Sequence, residues 1–196
     1  MSRYLFSLII FELVHLHILL ESDTIIRKIG HKFLDEGFVP LLFSHLPNSS
    51  AQISYNKIRL GGGTLLTRDE VIDQPKIKYC GRAENHHTVV MARPVIPEDG
   101  DPSKYEEFDH WIVGNVPGSK IHKGDIILPY NIPPKNNDEL YPYVIAVFEQ
   151  PGKLNFVNEI YNDTLKTVPG CVRLKQFISK YDLIGPTIAN YFFLCY

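Results

Sequence analysis

The 196-residue chain has no excess of either charge: Lys and Arg total 20, Asp and Glu 22, giving a formal net charge of -2. A balance this even removes the global electrostatic attraction that nucleic-acid binding uses, so no nucleic-acid partner is expected. Cysteine is scarce. Cys80, Cys171 and Cys195 form no C-x-x-C pair, which argues against a structural zinc site. In an oxidising compartment three pairings are open, each leaving one odd thiol; in a reducing one all three stay free. The nucleophile elbow Gly-x-Ser-x-Gly and the zinc motif His-Glu-x-x-His are both missing. Gly61-Gly62-Gly63-Thr64 lacks the Gly-Lys-Ser/Thr ending of a phosphate loop and reads as a turn. His86-His87 would alternate across a strand, so at most one points inward. Glu106-Glu107 would splay apart in either regular structure and makes no catalytic dyad. No enzyme, cofactor or metal is expected from these absences.

What is present is a globular composition with 44% apolar and 21% charged residues, enough for a core. Glycine (13) and proline (14) supply turns, and Tyr and Phe (11 each) favour a strand-rich domain. The apolar run Leu5–Leu20 after Arg3 has the length of a signal-peptide core and falls short of the ~20 residues of a membrane helix. Glu12, His15 and His17 interrupt it. Residues 1–22 are therefore expected to be a secretory leader, with cleavage after Ser22 and a single domain over 23–196. The other reading is an amphipathic helix packed on a cytoplasmic domain. Two sequons, at Asn48 and Asn162, suit glycosylation of a secreted chain.

Asp23 can cap a short helix bearing Ile25, Ile26, Ile29 and Phe33, with Gly37 as its stop. Thr67 and Glu70 have capping-box spacing, and Pro75 limits that helix. Asp101-Pro102 suggests another helix start. Strands are expected over Thr88–Ala92, Trp111–Val116, Asp125–Leu128 and Tyr143–Glu149, a helix over Val172–Lys180, and a buried final strand over Tyr191–Tyr196.

Several stretches stand in a fixed order. They are Phe33–Pro40 (FLDEGFVP), Leu65–Thr67 with Asp73–Pro75, Met91–Pro97 (MARPVIP), Asp101–Tyr105, Phe108–Asn115 (FDHWIVGN), Ile132–Lys135 (IPPK), Leu140–Val144, Val147–Gln150 and Phe177–Pro186 (FISKYDLIGP). Together they resemble the phosphatidylethanolamine-binding protein family, which includes the Raf kinase inhibitor protein and the plant flowering-time regulators. The resemblance implies a mostly β sandwich, a large antiparallel sheet packed on a smaller one, with short peripheral helices. It also implies a small anion pocket at one end of the large sheet, for phosphate or a phospholipid head group.

The family's pocket signatures are altered here. Its Asp-Pro-Asp-x-Pro aligns with Arg93-Pro94-Val95-Ile96-Pro97, and its Gly-x-His-Arg with Glu139-Leu140-Tyr141-Pro142. Phe108 replaces a usual tryptophan, and the chain ends at Tyr196, where the family has a C-terminal helix. The resemblance carries ligand binding onto His110, Arg93, Pro97, Tyr105, Phe108, Pro133, Pro134, Tyr141 and Tyr143. His110 would donate to the anion. Arg93 would restore a forked cation if its head turned inward, though arginine is more commonly exposed. Each aromatic also has a plain reading as core or rim. Two functions follow: a non-catalytic binder of a phosphorylated head group or small anion, or an interaction module of the kinase- or protease-inhibitor kind whose pocket has lapsed.

Overall fold

The computed structural model describes residues 2–49, 51–95, 97, 99, 101, 105–134, 140–157, 159 and 174–195. The chain opens with helix α1 (Ser2–Asp35), followed by the short α2 (Phe38–Leu41). Strands β1 (Gln52–Tyr55), β2 (Ile58–Arg59), β3 (Thr64–Thr67) and β4 (Lys76–Lys78) come next. The long strands are β5 (His86–Val95), β6 (Glu106–Pro117), β8 (Tyr141–Glu149) and β9 (Ile184–Cys195), with the shorter β7 (Asp125–Leu128) after β6. Helix α3 (Leu174–Lys180) precedes β9.

Two sheets form. One has the order β2-β1-β4, the other β3-β9-β8-β5-β6-β7. The sandwich is the expected one, with two corrections. The large sheet is mixed, because β3 lies parallel to β9, Thr64 opposite Phe192. A parallel neighbour so distant in sequence leaves no local pattern to read. The peripheral helices are not all short either: α1 runs 34 residues. It does not start at Asp23; no proline or glycine interrupts residues 2–29, so the helix passes through. Gly37, at φ 72°, accommodates the left-handed turn that follows α1.

Both faces of the large sheet are buried. Val89, Met91, Trp111, Val113, Tyr143, Ile145 and Phe192 point toward the small sheet, against Ile53, Tyr55 and Ile77. Val90, Ala92, Ile112, Val144 and Ala146 point the other way, against Phe33, Phe38, Leu174 and Phe177 of the helices. Truncating a fully buried aromatic such as Tyr143 or Phe33 costs on the order of 3–5 kcal/mol. The continuous apolar runs in β5 and β8 follow from this two-sided burial.

The smaller expectations meet mixed fates. The Thr67–Glu70 capping box forms, but on a single 3-10 turn, Arg68–Val71. Gly61–Gly63 is a turn; Gly62 and Gly63 both sit at φ 76°, and the Gly62 N–H donates to Asn190 Oδ1 (3.0 Å). His87 is buried and His86 half-buried, as alternation requires. Cys80 is an exposed free thiol and Cys195 a half-buried one. The sequon at Asn48 is exposed. Cys171, the sequon at Asn162 and the proline of Asp101-Pro102 lie outside the described residues.

Candidate functional site

The site begins with a register fault. Met91 of β5 pairs with Trp111 of β6, yet the next residue, Ala92, pairs with Asp109. His110 is the extra residue, a β-bulge. A bulge places two successive side chains on one side of the sheet and resets the alternation beyond it. His110 and Trp111 therefore both face the small sheet, and Asp109 is turned to the helix side, opposite Ala92.

On the small-sheet side the bulge assembles a cluster at one end of the large sheet. The His110 ring meets Tyr143 of β8 edge-on, centroids 5.1 Å apart. Arg93 pairs with Phe108 across β5 and β6. Its guanidinium carbon lies 4.6 Å from the Phe108 ring centroid and 4.7 Å from that of Tyr141. The head group is thus turned inward and held between two rings, an arrangement that favours a cation by roughly 0.5–2 kcal/mol per face. The residue is half-buried, and its Nε is buried with no hydrogen-bond partner among the described residues.

His110 is held from the loop before β8. The Asn131 N–H donates to the His110 carbonyl (2.7 Å), and His110 Nδ1 lies 3.3 Å from the Asn131 carbonyl oxygen. A carbonyl only accepts, so Nδ1 carries the proton in the neutral ring. Burial drives the His110 pKa down to about 4, the Asn131 carbonyl opposes this, and Arg93 pushes it further down. The ring is therefore neutral at physiological pH. Of the loop prolines, Pro133 is buried, Pro134 exposed and Pro97 half-buried, on segments entering β8 or leaving β5.

Tyr105 is not brought to this cluster. It packs on the helix-side core, and its hydroxyl donates to Glu107 Oε2 (2.9 Å). Glu107 Oε1 also accepts from the backbone N–H of Leu174, at the start of α3. Asp109 shares this face, two residues along β6. It is 2% exposed, and both its carboxylate oxygens are buried without a partner among the described residues. Burial pushes its pKa up to about 8, and the Glu107 charge adds to the shift. Sequence reasoning passed over Asp109. The available signal was an acid inside an otherwise aromatic and apolar run, FDHWIV.

Among the described residues no group of three or more His, Cys, Asp or Glu side chains is placed to hold a metal ion. No described helix is long and apolar enough to cross a membrane.

No family model matches the chain. It is 30% identical over 175 residues to odorant-binding protein A5 of Drosophila melanogaster, covering 88% of this chain and 81% of the relative. It is 28% identical over 149 residues to TERMINAL FLOWER 1 of Arabidopsis thaliana, covering 74% and 79%. The solution structure of CG7054 superposes with TM-score 0.59 at 26% identity, over 81% of this chain and 91% of that one. The fold is also that of a phosphatidylethanolamine-binding protein from Plasmodium vivax, with TM-score 0.60 at 16% identity over 85% and 96%. A carboxypeptidase Y inhibitor, solved in complex with its cognate proteinase, shares it too, with TM-score 0.67 at 15% identity over 86% and 95%. Collinear motifs, sheet order and relatives agree: the chain is a divergent member of the phosphatidylethanolamine-binding protein family.

Proposed function

We propose that the protein is a non-catalytic binder of a small phosphorylated anion, such as a phospholipid head group, at the Arg93–His110 end of the large sheet. The observation that carries this reading is the Arg93 head group. It is turned inward, clamped between Phe108 and Tyr141, and its buried Nε has no hydrogen-bond partner among the described residues. A buried donor left unmade costs about 1–3 kcal/mol, and an anion reaching it recovers that cost. Arg93 supplies a cation where the family's acidic signature stood. Among the described residues no side chain in the cluster is placed as a nucleophile with His110 as its base, which supports binding over turnover.

Calorimetric and NMR titration of the folded protein with phosphorylethanolamine and inorganic phosphate tests this. Saturable binding, lost in Arg93→Ala, is expected. No binding by a folded protein overturns the reading and moves attention to protein partners, of the kind the carboxypeptidase Y inhibitor has in its cognate proteinase.

We further propose that the protein is secreted, supported by the apolar run over residues 5–20 and by the exposed sequon at Asn48. From a secretory host the chain is expected to start near Asp23. Intracellular protein retaining Met1 overturns this.

A further inference from the structure

The Arg93–His110 cluster offers an anion fewer donors than its residue types suggest. His110 spends its one neutral-state N–H on the Asn131 carbonyl, leaving Nε2 as a lone pair. The side chains that face or adjoin the ring are Arg93 on β5, Tyr141 and Tyr143 on β8, and Asp109 on the opposite face of β6. Arg93 is the only fixed charge among those on its own face, and a permanent cation beside the ring opposes a second positive charge there. Besides the tyrosine hydroxyls, the cluster therefore presents one planar cation and one acceptor. A dianion would meet a single positive charge and a lone pair aimed against it.

Resting on the reading of this site as a phosphate binder, we propose that its ligand is a monoanion that brings its own proton: a phosphate group carrying one P–O–H, which donates to His110 Nε2 while its charged oxygens take the Arg93 fork. His110 is then a specificity-determining acceptor rather than a donor. The site selects singly ionised phosphate monoesters over doubly ionised ones, and over phosphodiesters, which lack the hydroxyl; among phospholipid head groups this narrows the ligand to a phosphate monoester of the phosphatidic-acid type.

Two probes test this in the full protein, monomethyl phosphate and dimethyl phosphate, titrated at about pH 5.5 and about pH 7.5. A phosphate monoester loses its second proton near pH 6, so its singly ionised fraction falls on the order of 20-fold between those conditions. Monomethyl phosphate is expected to weaken by that factor. Dimethyl phosphate, a monoanion throughout, is expected to bind weakly and without pH dependence. If dimethyl phosphate tightens at low pH in parallel with the monoester, His110 itself takes the proton; the phosphate reading then stands and this proposal falls. Tighter monoester binding at the higher pH overturns it as well. Absence of binding by both probes at both pH values overturns the phosphate reading together with it. Long-range proton–nitrogen spectra of the free protein near pH 7 give an independent check. The proton is expected on His110 Nδ1, and finding it on Nε2 refutes the acceptor role.

Discussion

Strand β6 carries two bulges against β5, and they are built in opposite ways. At the far one, between His87 and Val89 of β5, the extra length lies around Asn115, which adopts a left-handed conformation at φ 52°. Its side chain is fully used: Nδ2 donates to Asp125 Oδ2 (2.7 Å) and to the Leu154 carbonyl (2.8 Å), while Oδ1 accepts from Gln150 Nε2 (2.9 Å) and the Leu154 N–H (2.8 Å). Gln150 Oε1 accepts from the Asn115 N–H (2.8 Å) and from Thr88 Oγ1 (2.9 Å). At the near bulge, the His110 side chain has one long hydrogen-bond contact, and Arg93 Nε and both Asp109 oxygens lack partners among the described residues. Buried polar groups are normally paired, and exceptions need a reason. A closed network fixes a fold, whereas open donors and acceptors await something from outside. One strand thus uses the same device twice, once for structure and once for a site.

The largest consequence concerns the two titratable neighbours at the near bulge. Asp109 has a folded pKa raised to about 8, so it favours the folded state while protonated, and that stability is lost as pH rises from about 4 to about 8. His110 has a folded pKa lowered to about 4, so its contribution is present above about 6.5 and lost as pH falls toward 4. Each slope is about 1.4 kcal/mol per pH unit, and across its whole window Asp109 amounts to on the order of 5 kcal/mol. The opposing slopes cancel below about pH 6.5. In the parent protein, unfolding free energy is expected to stay flat there and then fall toward pH 8. Asp109→Asn is expected to abolish that fall, and His110→Gln to extend it down to about pH 4. Urea unfolding across this range checks both. A parent curve that is flat through pH 8 refutes the burial argument for Asp109.

Much of this fold was legible beforehand. β7 matches its expected bounds, β5, β6, β8 and β9 extend theirs, and α3 is helical over Leu174–Lys180, the described part of its expected span, because apolar runs bounded by Pro-Gly turns depend on local chemistry. The site was legible as a set of residues but not as an arrangement. Alternation counted through Phe108–Trp111 places Asp109 beside Trp111 and His110 beside Phe108, on opposite faces. The bulge breaks that count, and a bulge without glycine leaves no mark in one sequence. Tyr105 went astray for a related reason: its partner, Glu107, is fixed by α3, far along the chain. The inward turn of Arg93 depends on Tyr141, contributed by another strand 48 positions away.

The contrast between the bulges sharpens into a pair of substitutions of similar shape. Gln150→Met removes an amide whose oxygen and nitrogen are both engaged, stranding Thr88 Oγ1 and the Asn115 N–H in buried surroundings and leaving Asn115 Oδ1 only the Leu154 N–H. Each group left unmade costs about 1–3 kcal/mol, and with partial rearrangement a loss of about 3 kcal/mol is expected in urea unfolding. Arg93→Met removes a charge whose buried Nε has no hydrogen bond to lose among the described residues. Two ring contacts disappear, worth about 0.5–1 kcal/mol each where partly exposed, and relief from burying the cation offsets them. The net change is expected to lie within about 1 kcal/mol, while phosphate binding is abolished. If Arg93→Met destabilises as strongly as Gln150→Met, Arg93 is a structural element like Gln150. The two bulges would then not differ in kind, and the case for a ligand at the near one would lose its main support.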